Sequence, residues 1–541
     1  MHGLPVTDEK FEKVDSLFKE LDSTHTPGAV VAIIQNDKII YEKAFGMASL
    51  ELGVPNSTGT VFRIGSVSKQ FTAAGIAMLA LENKLGLDDP LRKYFPELPE
   101  NVYQPVTIRH LIYHTSGVRD AESMYPLMGI DYSQWYTHQM FLDMLCRQKA
   151  LNFRPGEKIE YSNSGYTLLA LIVEKVSGKK FAEFATERIF APLGMKDTRI
   201  QTSHSTFIPN RAAGYNFSSG QYTNWMTNNQ LLGHDAVYST IGDMYKWEQA
   251  FFNNKLSQEL IRMMTSPGKL NDGSMLLYGF GLAVDQYKSL PIYAHSGWYV
   301  GYTAYLIIFP DQQFSVICLS NFGTFSPKRV CKRIADIFLA DQIKEAQNSS
   351  TYKKAMAESV FSNKLLKKLS GEYVGTDLGG DLSLEIKENK LRIKSTDIVF
   401  EPSPYSKFEL ICQYTGLILR VYPESIGSDN IPVELLISTG SLGRRRPIKE
   451  MQVPENECSQ YTGEYRSDEL ENACRISFDK KNLLIKLGDL SAKLTQFEKD
   501  QFAASFGKIS FLRDERGTVC GLRLDAFGAQ NLIFKRIAES N

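Results

Sequence analysis

The stretch FRIGSVSKQFTAA, residues 62–74, is the segment from which the rest of the chain can be interpreted. It places Ser66 three residues before Lys69, at the start of a long apolar pattern that predicts a helix ending before Gly86. Positions three apart share one face of a helix, so the Lys69 amine can reach the Ser66 hydroxyl. A serine needs an adjacent base to act as a nucleophile, and burial among apolar neighbours lowers the pKa of a lysine. Ser66 and Lys69 are therefore a candidate nucleophile and base.

The Ser-x-x-Lys spacing does not identify an active site by itself. The same spacing occurs elsewhere in the chain, at Ser16 and Lys19, Ser177 and Lys180, and Ser477 and Lys480. A single match is more often a chance occurrence or a solvent-exposed helix pair. Whether Ser66 is reactive must therefore be decided by residues elsewhere in the sequence.

The composition is that of an ordinary globular protein with several domains. A chain of 541 residues is too long for one core, and about three domains are expected. The formal net charge is zero, so no charge excess points to nucleic acid or to an anionic membrane surface. No apolar run approaches the roughly 20 residues that span a bilayer. The N-terminal residues lack a signal-peptide pattern, so we expect a cytoplasmic protein; a periplasmic one is the alternative if a leader has been removed.

The cysteines and histidines show no pattern of a disulfide framework or of a metal site. Seven cysteines are scattered without a C-x-x-C pair. We expect Cys146, Cys318 and Cys331 to be buried as small hydrophobic residues. The eight histidines have no H-E-x-x-H or equivalent spacing. The sequence therefore predicts neither a metal nor a cofactor.

Hydrophobic periodicity predicts the outline of the N-terminal part. Residues 8–22 have the spacing of an amphipathic helix, and two apolar strands follow, joined by a turn at Asn36-Asp37. Thr107 is the expected N-cap of a further helix that ends at a Gly117 C-cap. After a late pair of apolar strands, residues 328–345 are expected to form a closing helix.

The C-terminal part contains an internal repeat. The tripeptide Gly-Glu-Tyr at 371–373 recurs at 463–465, 92 positions later. In each copy two alternating strands flank a polar turn, in LSLEIKENKLRI and in CRISFDKKNLLIKL. Short, closely spaced strands of this kind predict two small antiparallel β-barrels. We expect a first domain over residues 1–345, followed by lipocalin-like barrels over 346–455 and 456–541.

The second motif of chemical interest is Tyr161-Ser162-Asn163, which precedes a buried helical pattern. A Tyr phenol has an ordinary pKa of about 10 and can act as a base only beside a cation such as Lys69. The Asn163 amide both donates and accepts hydrogen bonds, which suits holding a substrate amide and the lysine together. The alternative is a buried structural tyrosine with a structural asparagine, and Tyr222-Thr223-Asn224 has the same pattern.

The third motif is His295-Ser296-Gly297, followed by Trp298, on a predicted strand. An edge strand beside the nucleophile could hydrogen-bond an extended substrate, and Gly297 permits close backbone approach. The backbone N–H groups of Trp298 and Ser66 could form an oxyanion hole. Taken alone, His295 would be interpreted as a satisfied core histidine.

Ser-x-x-Lys, Tyr-x-Asn and His-x-Gly, in this order, resemble the motifs of the penicillin-recognising serine hydrolases. This superfamily includes class C β-lactamases, DD-peptidases, esterases and D-aminopeptidases. The resemblance covers residues 10–345, with supporting stretches at 114–117 (HTSG), 153–166 (FRPGEKIEYSNSGY) and 192–195 (PLGM). It implies an α+β fold of the β-lactamase/transpeptidase type, in which helices flank an antiparallel sheet and the reactive serine lies beside a helical part.

Transferred position by position, the resemblance implies a serine hydrolase in which Ser66 is the acylated nucleophile. Lys69 and Tyr161 share the general-base work, and Tyr161 also protonates the leaving group. The substrate-binding residues implied by the resemblance are Asn163, His295, Gly297 and Trp298.

One position departs from the pattern of many β-lactamases and DD-peptidases. They carry Lys where this chain has His295, and a neutral histidine binds a substrate carboxylate less well. D-aminopeptidases and some DD-peptidases also carry His at this position. D-aminopeptidases have, in addition, the domain organisation expected for this chain, one catalytic domain followed by two barrels. The resemblance therefore implies a peptidase acting on D-amino-acid-containing peptides. A β-lactamase-fold esterase or a weak β-lactamase is the alternative.

In D-aminopeptidases a loop of the C-terminal part reaches the active site and limits substrate size. By position, Gly440–Arg446, expected to be a loop between the barrels, is the candidate here. An alternative of another class is a non-catalytic peptide-binding sensor or scaffold. The expected partner is a small peptide, amide or ester substrate, with no nucleic acid and no membrane segment. The oligomeric state is open, and a homodimer is one of the states considered.

Overall fold

The structure is a computed structural model of the chain. The residues it describes are 8–131, 133–225, 227–253, 255–347, 361–375, 382–387, 390–394, 398–400, 404–406, 409–411, 418–422, 425–426, 431, 433–437, 440–447, 453–479, 482–526 and 528–537. No helix within these ranges is both long and apolar enough to cross a membrane.

Residues 8–347 form an N-terminal region of helices around a sheet. Its helices are α1 (Asp8–Ser16), α2 (Lys69–Leu81), α3 (Glu100–Tyr103), α4 (Ile108–Ile112), α5 (Ala121–Met128), α6 (His138–Arg147), α7 (Asn163–Ser177), α8 (Phe181–Ala185), α9 (Ala191–Leu193), α10 (Ile241–Gln249), α11 (Gln258–Met264), α12 (Pro327–Phe338) and α13 (Ala340–Gln347). A short 3₁₀ helix, Gly65–Ser68, leads directly into α2.

The strands of this region form one large sheet and three small ones. They are β1 (Ala29–Gln35), β2 (Lys38–Phe45), β3 (Met47–Ser49), β4 (Val54–Pro55), β5 (Phe62–Arg63), β6 (Arg199–Ile200), β7 (Tyr215–Ser218), β8 (Gln221–Asn224), β9 (Val237–Ser239), β10 (Ala283–Tyr287), β11 (Leu290–Tyr299), β12 (Tyr302–Phe309) and β13 (Phe314–Ser320). The large antiparallel sheet has the order β10-β11-β12-β13-β1-β2, and the small sheets are β3-β4, β5-β9-β6 and β7-β8.

Strand β1 is apolar along most of its length because helices cover both faces of the large sheet. Val30 and Ala32 belong to the core shared with α2, whereas Val31 and Ile33 belong to the core under α1 and α12. Successive side chains of a strand point to opposite faces, so a strand buried on both sides lacks polar alternation. The predicted hairpin turn is confirmed, since Asn36 and Asp37 both adopt positive φ angles, 50° and 62°.

Several predictions on local elements of this region are wrong. Helix α1 ends at Ser16 rather than at residue 22, and the expected closing helix over 328–345 is divided at Leu339 into α12 and α13. Thr107 does cap α4, its side chain accepting a hydrogen bond from the His110 N–H, but the helix ends at Ile112 rather than at Gly117. The chain turns away because His114 already adopts a φ of 56°. Cys146 is partly exposed rather than buried, whereas Cys318 and Cys331 are buried as expected.

The C-terminal part contains two nine-stranded antiparallel sheets of the same topology. Their elements are α14 (Asn363–Lys368), β14 (Gly371–Gly375), β15 (Leu382–Lys387), β16 (Lys390–Ile393), β17 (Ile398–Phe400), β18 (Pro404–Ser406), β19 (Glu409–Ile411), β20 (Ile418–Val421), β21 (Val433–Ile437), β22 (Gly440–Pro447), α15 (Glu455–Cys458), β23 (Gly463–Ser467), β24 (Asn472–Asp479), β25 (Asn482–Leu487), β26 (Leu490–Lys493), β27 (Thr495–Glu498), β28 (Gln501–Ala504), β29 (Gly507–Arg513), β30 (Val519–Ala526) and β31 (Ala529–Arg536). The first sheet has the order β17-β16-β15-β14-β22-β21-β20-β19-β18, and the second has the equivalent order from β26 to β27. These are the two predicted barrels.

The repeated Gly-Glu-Tyr tripeptide begins the first strand of each barrel. In both copies the tyrosine hydroxyl donates a hydrogen bond to the carbonyl four residues earlier, from Tyr373 to Leu369 at 3.1 Å and from Tyr465 to Tyr461 at 2.7 Å. Each bond ties the strand to the turn that follows a short helix. The sequence repeat therefore reflects a repeated structural contact.

The prediction that Gly440–Arg446 forms a loop between the barrels is wrong. These residues belong to β22, which pairs with β21 on one side and with β14 on the other. Strand β21 directly precedes β22, but β14 lies about 70 residues earlier, so a local run of arginines does not reveal this pairing. The element of the C-terminal part that approaches the N-terminal region must lie elsewhere.

The second barrel packs directly on the N-terminal region, and apolar residues from both form one continuous core. A buried ion pair joins Arg119 to Glu469, whose side chains are 1% and 2% exposed. The turn between β30 and β31 also crosses the boundary, where the Gly528 carbonyl accepts a hydrogen bond of 2.7 Å from the Asp120 N–H. The first barrel has a separate core of its own.

The buried carboxyl of Glu248 generates a testable prediction about stability. It lies on α10 against the large sheet and is 1% exposed, and burial raises its pKa from 4.5 to about 7. Because the unfolded chain ionises near pH 4.5, the wild type loses stability as pH rises from there towards 7. We expect Glu248→Gln to raise the melting temperature more at pH 8 than at pH 5, with a difference of up to about 3 kcal/mol in the free energy of unfolding.

Differential scanning calorimetry at the two pH values would measure this difference. Glu259→Gln, at an exposed position of α11, is the matched control and should show no such dependence. An equal effect of Glu248→Gln at pH 5 and pH 8 would contradict the prediction.

Candidate active site

Ser66 lies on the 3₁₀ helix that precedes α2, pressed against the backbone of β11. Gly65 has a φ of 55°, and a Cβ atom there would lie 2.6 Å from the Trp298 nitrogen. A Cβ atom at Gly297 would lie 1.9 Å from the Ile64 carbonyl oxygen. Only glycine fits at both positions, because any side chain would force the strand and the turn apart. This contact brings the backbone nitrogen of Trp298 next to the turn that carries Ser66.

The segment of β11 that carries the third motif is open on one side. Strand β10 pairs only with Leu290–Ala294, and β12 pairs along the other edge. Among the strands that the structure describes, none pairs with His295–Tyr299 on the side of β10. An extended ligand could therefore hydrogen-bond to this edge, as the sequence predicts.

Lys69 begins α2 and its side chain is fully buried. Its Nζ atom lies 3.1 Å from Ser66 Oγ, 2.7 Å from Asn163 Oδ1 and 3.0 Å from the His234 carbonyl oxygen. Burial lowers the pKa of Lys69 to about 7, and the charges of Asp235, Asp120 and Glu122 act in the opposite direction.

These three contacts orient the amine for proton transfer. A neutral amine has two N–H bonds and one lone pair. The amide oxygen of Asn163 and the carbonyl oxygen of His234 can only accept, so they take the two N–H bonds of Lys69. The lone pair is then left facing Ser66 Oγ, which is the geometry that a general base requires.

Tyr161 faces the same centre from the segment before α7. Its ring lies 4.7 Å from Lys69 Nζ, and its hydroxyl is buried without a hydrogen-bond partner of normal geometry in the described structure. Burial raises the pKa of the Tyr161 phenol well above its usual value, against a smaller opposing effect of the Ser66 hydroxyl. The phenol therefore holds its proton, whereas Lys69 gives up its proton readily.

His114, in the HTSG stretch, fixes the ring of Tyr161. The two rings have centroids 4.2 Å apart at an angle of 32°. His114 Nδ1 accepts a hydrogen bond of 3.1 Å from the Ser162 N–H, next to the tyrosine. Burial and the charge of Lys69 lower the pKa of His114 well below its usual value, so it acts as a neutral support.

His295 lies behind Tyr161 rather than on the cavity wall. Its side chain is 7% exposed, and its ring centroid is 6.3 Å from that of Tyr161. Nδ1 donates to the Ser296 carbonyl at 2.7 Å, so Nε2 accepts from the Tyr278 hydroxyl at 3.1 Å. Burial lowers the pKa of His295 to about 3, with Lys69 acting in the same direction. This histidine is therefore neutral at physiological pH and supplies no positive charge.

A cavity of about 180 Å³ opens beside Ser66. It is lined by Ser66, Asp120, Glu122, Ser123, Tyr161, Asn163, His234, Trp298 and Tyr299. The predicted site residues Ser66, Tyr161, Asn163 and Trp298 thus share one cavity with Lys69 beneath it. His295 and Gly297 are not on its wall, and Gly297 acts by letting β11 approach the serine.

Two carboxyl groups on this wall were not predicted from the sequence. Asp120 accepts hydrogen bonds from the Asn163 N–H and from Ser123, and burial raises the pKa of its carboxyl. Glu122 Oε1 accepts from the Tyr299 hydroxyl at 3.1 Å and from Asn229 Nδ2 at 3.0 Å. Neither residue lies in a recognisable spacing, because what brings them to Ser66 is the packing of α5 against α7.

A buried pair of opposite charge lies next to the same centre. Arg63 Nε donates to Asp235 at 2.8 Å, and both side chains are almost fully buried. Arg63 also lies 4.3 Å from the ring centroid of Tyr299. The pair holds β5 to the segment that presents the His234 carbonyl to Lys69. No local sequence motif marks this ion pair, since its two residues are far apart in the sequence.

The fold and the site define a serine hydrolase with a β-lactamase architecture. The Beta-lactamase family matches residues 14–340, more than half of the chain, and the chain belongs to this family. The family and fold predicted from the three motifs are therefore confirmed.

Named relatives agree with this assignment. The chain is 33% identical over 333 residues to penicillin-binding protein 4* of Bacillus subtilis, a match that covers 58% of this chain and 72% of the relative. It is 26% identical over 530 residues to a D-aminopeptidase of Brucella anthropi, covering 94% and 95% of the two chains. The structure of D-amino acid amidase from Ochrobactrum anthropi SV3 is similar with a TM-score of 0.51 and 25% identity, covering 64% of this chain and 99% of that chain.

The lowered pKa of Lys69 generates a prediction for the reactivity of Ser66. Only the neutral amine can accept the serine proton. The rate of acylation by a fluorophosphonate should therefore rise about tenfold with each unit of increasing pH up to about pH 7, and it should level off above about pH 8. Lys69→Ala should slow acylation by a factor of order 10² to 10⁴ and abolish this pH dependence.

Stopped-flow or gel-based labelling between pH 5 and pH 9 would measure both effects. Lys84→Ala, at an exposed position just after α2, is the matched control and should retain the wild-type profile. A profile that does not change in Lys69→Ala would contradict the assignment of the base.

Proposed function

We propose that this protein is an aminopeptidase-type serine hydrolase that releases an N-terminal D-amino acid from peptides or amides. Ser66 forms the acyl-enzyme, Lys69 is its general base, and Tyr161 protonates the leaving amine. The N–H groups of Ser66 and Trp298 stabilise the oxyanion, and Asn163 positions Lys69 and the substrate amide. His295 contributes as a neutral support of Tyr161.

The acidic wall of the cavity carries this proposal. Asp120 and Glu122 line the space beside Ser66, and no lysine or arginine is among the described residues that line it. His234 is on the same wall, with its Nε2 atom 3.2 Å from Glu122 Oε1. Carboxylates in a partly desolvated pocket favour a cation, and a free α-ammonium group is the cation that an aminopeptidase substrate supplies. A substrate with a free amino group next to the scissile carbonyl therefore suits this cavity.

The same charges disfavour substrates that are recognised by a carboxylate. β-Lactams and D-Ala-D-Ala peptides carry a carboxylate near the bond that is cleaved. His295 is neutral here, because burial lowers its pKa to about 3, so it offers little to such a group. A weak β-lactamase or an esterase remains the second candidate, since acylation of Ser66 would serve either reaction.

The D configuration is supported by the relatives rather than by the cavity itself. The match to the Brucella anthropi protein named D-aminopeptidase extends over 94% of this chain, including both barrels. The similar structure from Ochrobactrum anthropi is named a D-amino acid amidase. An aminoacyl amide or a short peptide with an N-terminal D residue is the substrate class consistent with both names.

In the proposed reaction each proton has a donor and an acceptor. Lys69 takes the proton of Ser66 as Oγ attacks the carbonyl carbon, and the oxyanion lies toward the N–H groups of Ser66 and Trp298. As the C–N bond breaks, the leaving amine takes the proton of Tyr161. The Lys69 ammonium, 4.7 Å from the Tyr161 ring, then returns a proton to the phenolate. Water releases the acid by the same steps in reverse.

The first test of this function combines labelling with turnover. We expect a fluorophosphonate to add one mass adduct to the wild type and none to Ser66→Ala. The wild type should hydrolyse D-Ala p-nitroanilide faster than L-Ala p-nitroanilide and faster than nitrocefin. Adduct formation in Ser66→Ala, or nitrocefin hydrolysis as the fastest reaction, would overturn the proposal.

The second test concerns recognition of the ammonium group. Glu122→Gln keeps an acceptor for Tyr299 but removes the charge, so kcat/KM for D-Ala p-nitroanilide should fall about tenfold or more, mainly through KM. Above about pH 8, where Lys69 is neutral with or without the Glu122 charge, hydrolysis of p-nitrophenyl acetate, which has no ammonium group, should change less than about twofold.

Steady-state kinetics on both substrates would separate recognition from general damage. Glu183→Gln, at an exposed position of α8, is the matched control and should behave as the wild type. Equal losses on the anilide and on the acetate in Glu122→Gln would assign Glu122 a structural role instead.

A further inference from the structure

A second cavity of about 130 Å³ lies next to the one beside Ser66, and its charge is opposite. The charged or ionisable groups on its wall include Arg63, Arg211 and His204, together with the amides of Gln201 and Asn228. No aspartate or glutamate is among the lining residues that the structure describes. The first cavity thus has an acidic wall and the second a basic one.

The two arginines of the second cavity differ in what balances their charge. Arg63 is buried and pairs with Asp235, so its charge is largely neutralised within the protein. Arg211 is exposed, and its guanidinium has no ion pair or hydrogen bond within the described residues. Its backbone is nevertheless held in place, since the adjacent Ala212 N–H donates to the Val61 carbonyl at 3.0 Å. Arg211 therefore presents an uncompensated positive charge from a fixed position.

Both guanidinium groups act on one phenol at the base of the cavity. Burial raises the pKa of Tyr302, and the positive charges of Arg211 and Arg63 act in the opposite direction. Both arginines and Tyr302 line this one cavity. An anion placed beside Tyr302 would lie within the field of both.

The walls of the two cavities are in contact through aromatic side chains. Trp298 lines the first and Trp225 the second, and their rings are in edge contact with centroids 5.5 Å apart. The Tyr299 hydroxyl reaches Glu122 in the first cavity, while Arg63 of the second lies over the Tyr299 ring at 4.3 Å. A substituent of a substrate bound at Ser66 could therefore extend around these side chains.

The direction of β11 indicates which part of a substrate would extend there. His295 supports Tyr161, the proposed proton donor to the leaving amine, at one end of the motif. Val300, on the wall of the second cavity, lies two residues beyond Trp298 in the opposite direction, in the turn that follows the end of β11 at Tyr299. The second cavity is therefore on the side of the acyl group, away from the leaving group.

We propose that the second cavity binds a carboxylate on the side chain of the acyl residue, with Arg211 as the specificity-determining residue. Acidic aminoacyl amides, with an ammonium group for the first cavity and a carboxylate for the second, are then the preferred substrates. The catalytic part of this inference rests on the proposed aminopeptidase function.

Two substrates of nearly equal shape test the preference. We expect kcat/KM for D-Glu p-nitroanilide to exceed that for D-Gln p-nitroanilide by about tenfold in the wild type. Arg211→Met should reduce this ratio to near one, Arg211→Lys should retain part of it, and Arg211→Glu should invert it. Hydrolysis of D-Ala p-nitroanilide, which has no carboxylate, should change little in all three variants.

Arg262→Met, at an exposed position of α11, is the matched control and should keep the wild-type ratio. Binding of glutarate, measured by ligand-observed NMR, needs neither an amine nor turnover, and it should weaken at least tenfold in Arg211→Met only.

If D-Ala p-nitroanilide is hydrolysed but the Glu-to-Gln ratio does not respond to Arg211, this inference is overturned while the proposed function stands. If no anilide is hydrolysed, the proposed function fails, and glutarate binding still decides whether the cavity is an anion site: loss of binding in Arg211→Met supports the site, and unchanged binding refutes it.

Discussion

The burial of Lys69 is the constraint on which the rest of the site depends. A lysine taken out of water loses the solvation of its charge, so the neutral amine becomes accessible near pH 7. That amine is useful only if its lone pair faces the serine, and this requires two acceptors for its N–H bonds. Asn163 at the start of α7 and the carbonyl of His234 supply them. The helical part, the β9 segment and the Ser66 turn must therefore meet at one point, and their packing is what places the Lys69 amine against the Ser66 hydroxyl.

The second barrel completes the acidic wall of this site. The Asp120 N–H donates to the Gly528 carbonyl, and the preceding residue, Arg119, pairs with Glu469 in the barrel. A buried charge that loses its partner destabilises a protein by about 3–5 kcal/mol. The local fold around Arg119 therefore requires that the second barrel is docked on the N-terminal region. The segment that leads into α5, with Asp120 and Glu122, is thus held from both sides. A barrel far along the chain thereby fixes the backbone of one wall of the cavity beside Ser66.

The sequence predicted the side chains that meet around Lys69 better than the carboxyl groups that line the cavity beside them. Ser66 and Lys69 share a helix face, and Tyr161 and Asn163 flank a helix start, so their spacing is local and visible. Asp120 and Glu122 carry no local pattern, because they reach the cavity through the packing of α5. The β-barrels were visible as a repeat of alternating strands, but Gly440–Arg446 was misassigned as a loop, and one of its two pairing partners, β14, is distant in the sequence. Long-range contacts, which depend on the folded chain, account for each of these differences.

The distribution of charge around Ser66 gives the substrate an orientation that the catalytic groups alone do not impose. Lys69, Tyr161 and the backbone N–H groups would act on any acyl compound that reaches them. Asp120 and Glu122 attract a cation to one side of β11, and the neutral His295 leaves the side of the leaving group without a fixed positive charge. Under the proposed function, a substrate with a free amine is held with its carbonyl at Ser66 and its leaving group toward Tyr161. The proposed recognition through the amine rather than through a carboxylate rests on this asymmetry, although the nucleophile and base are those expected of the whole superfamily.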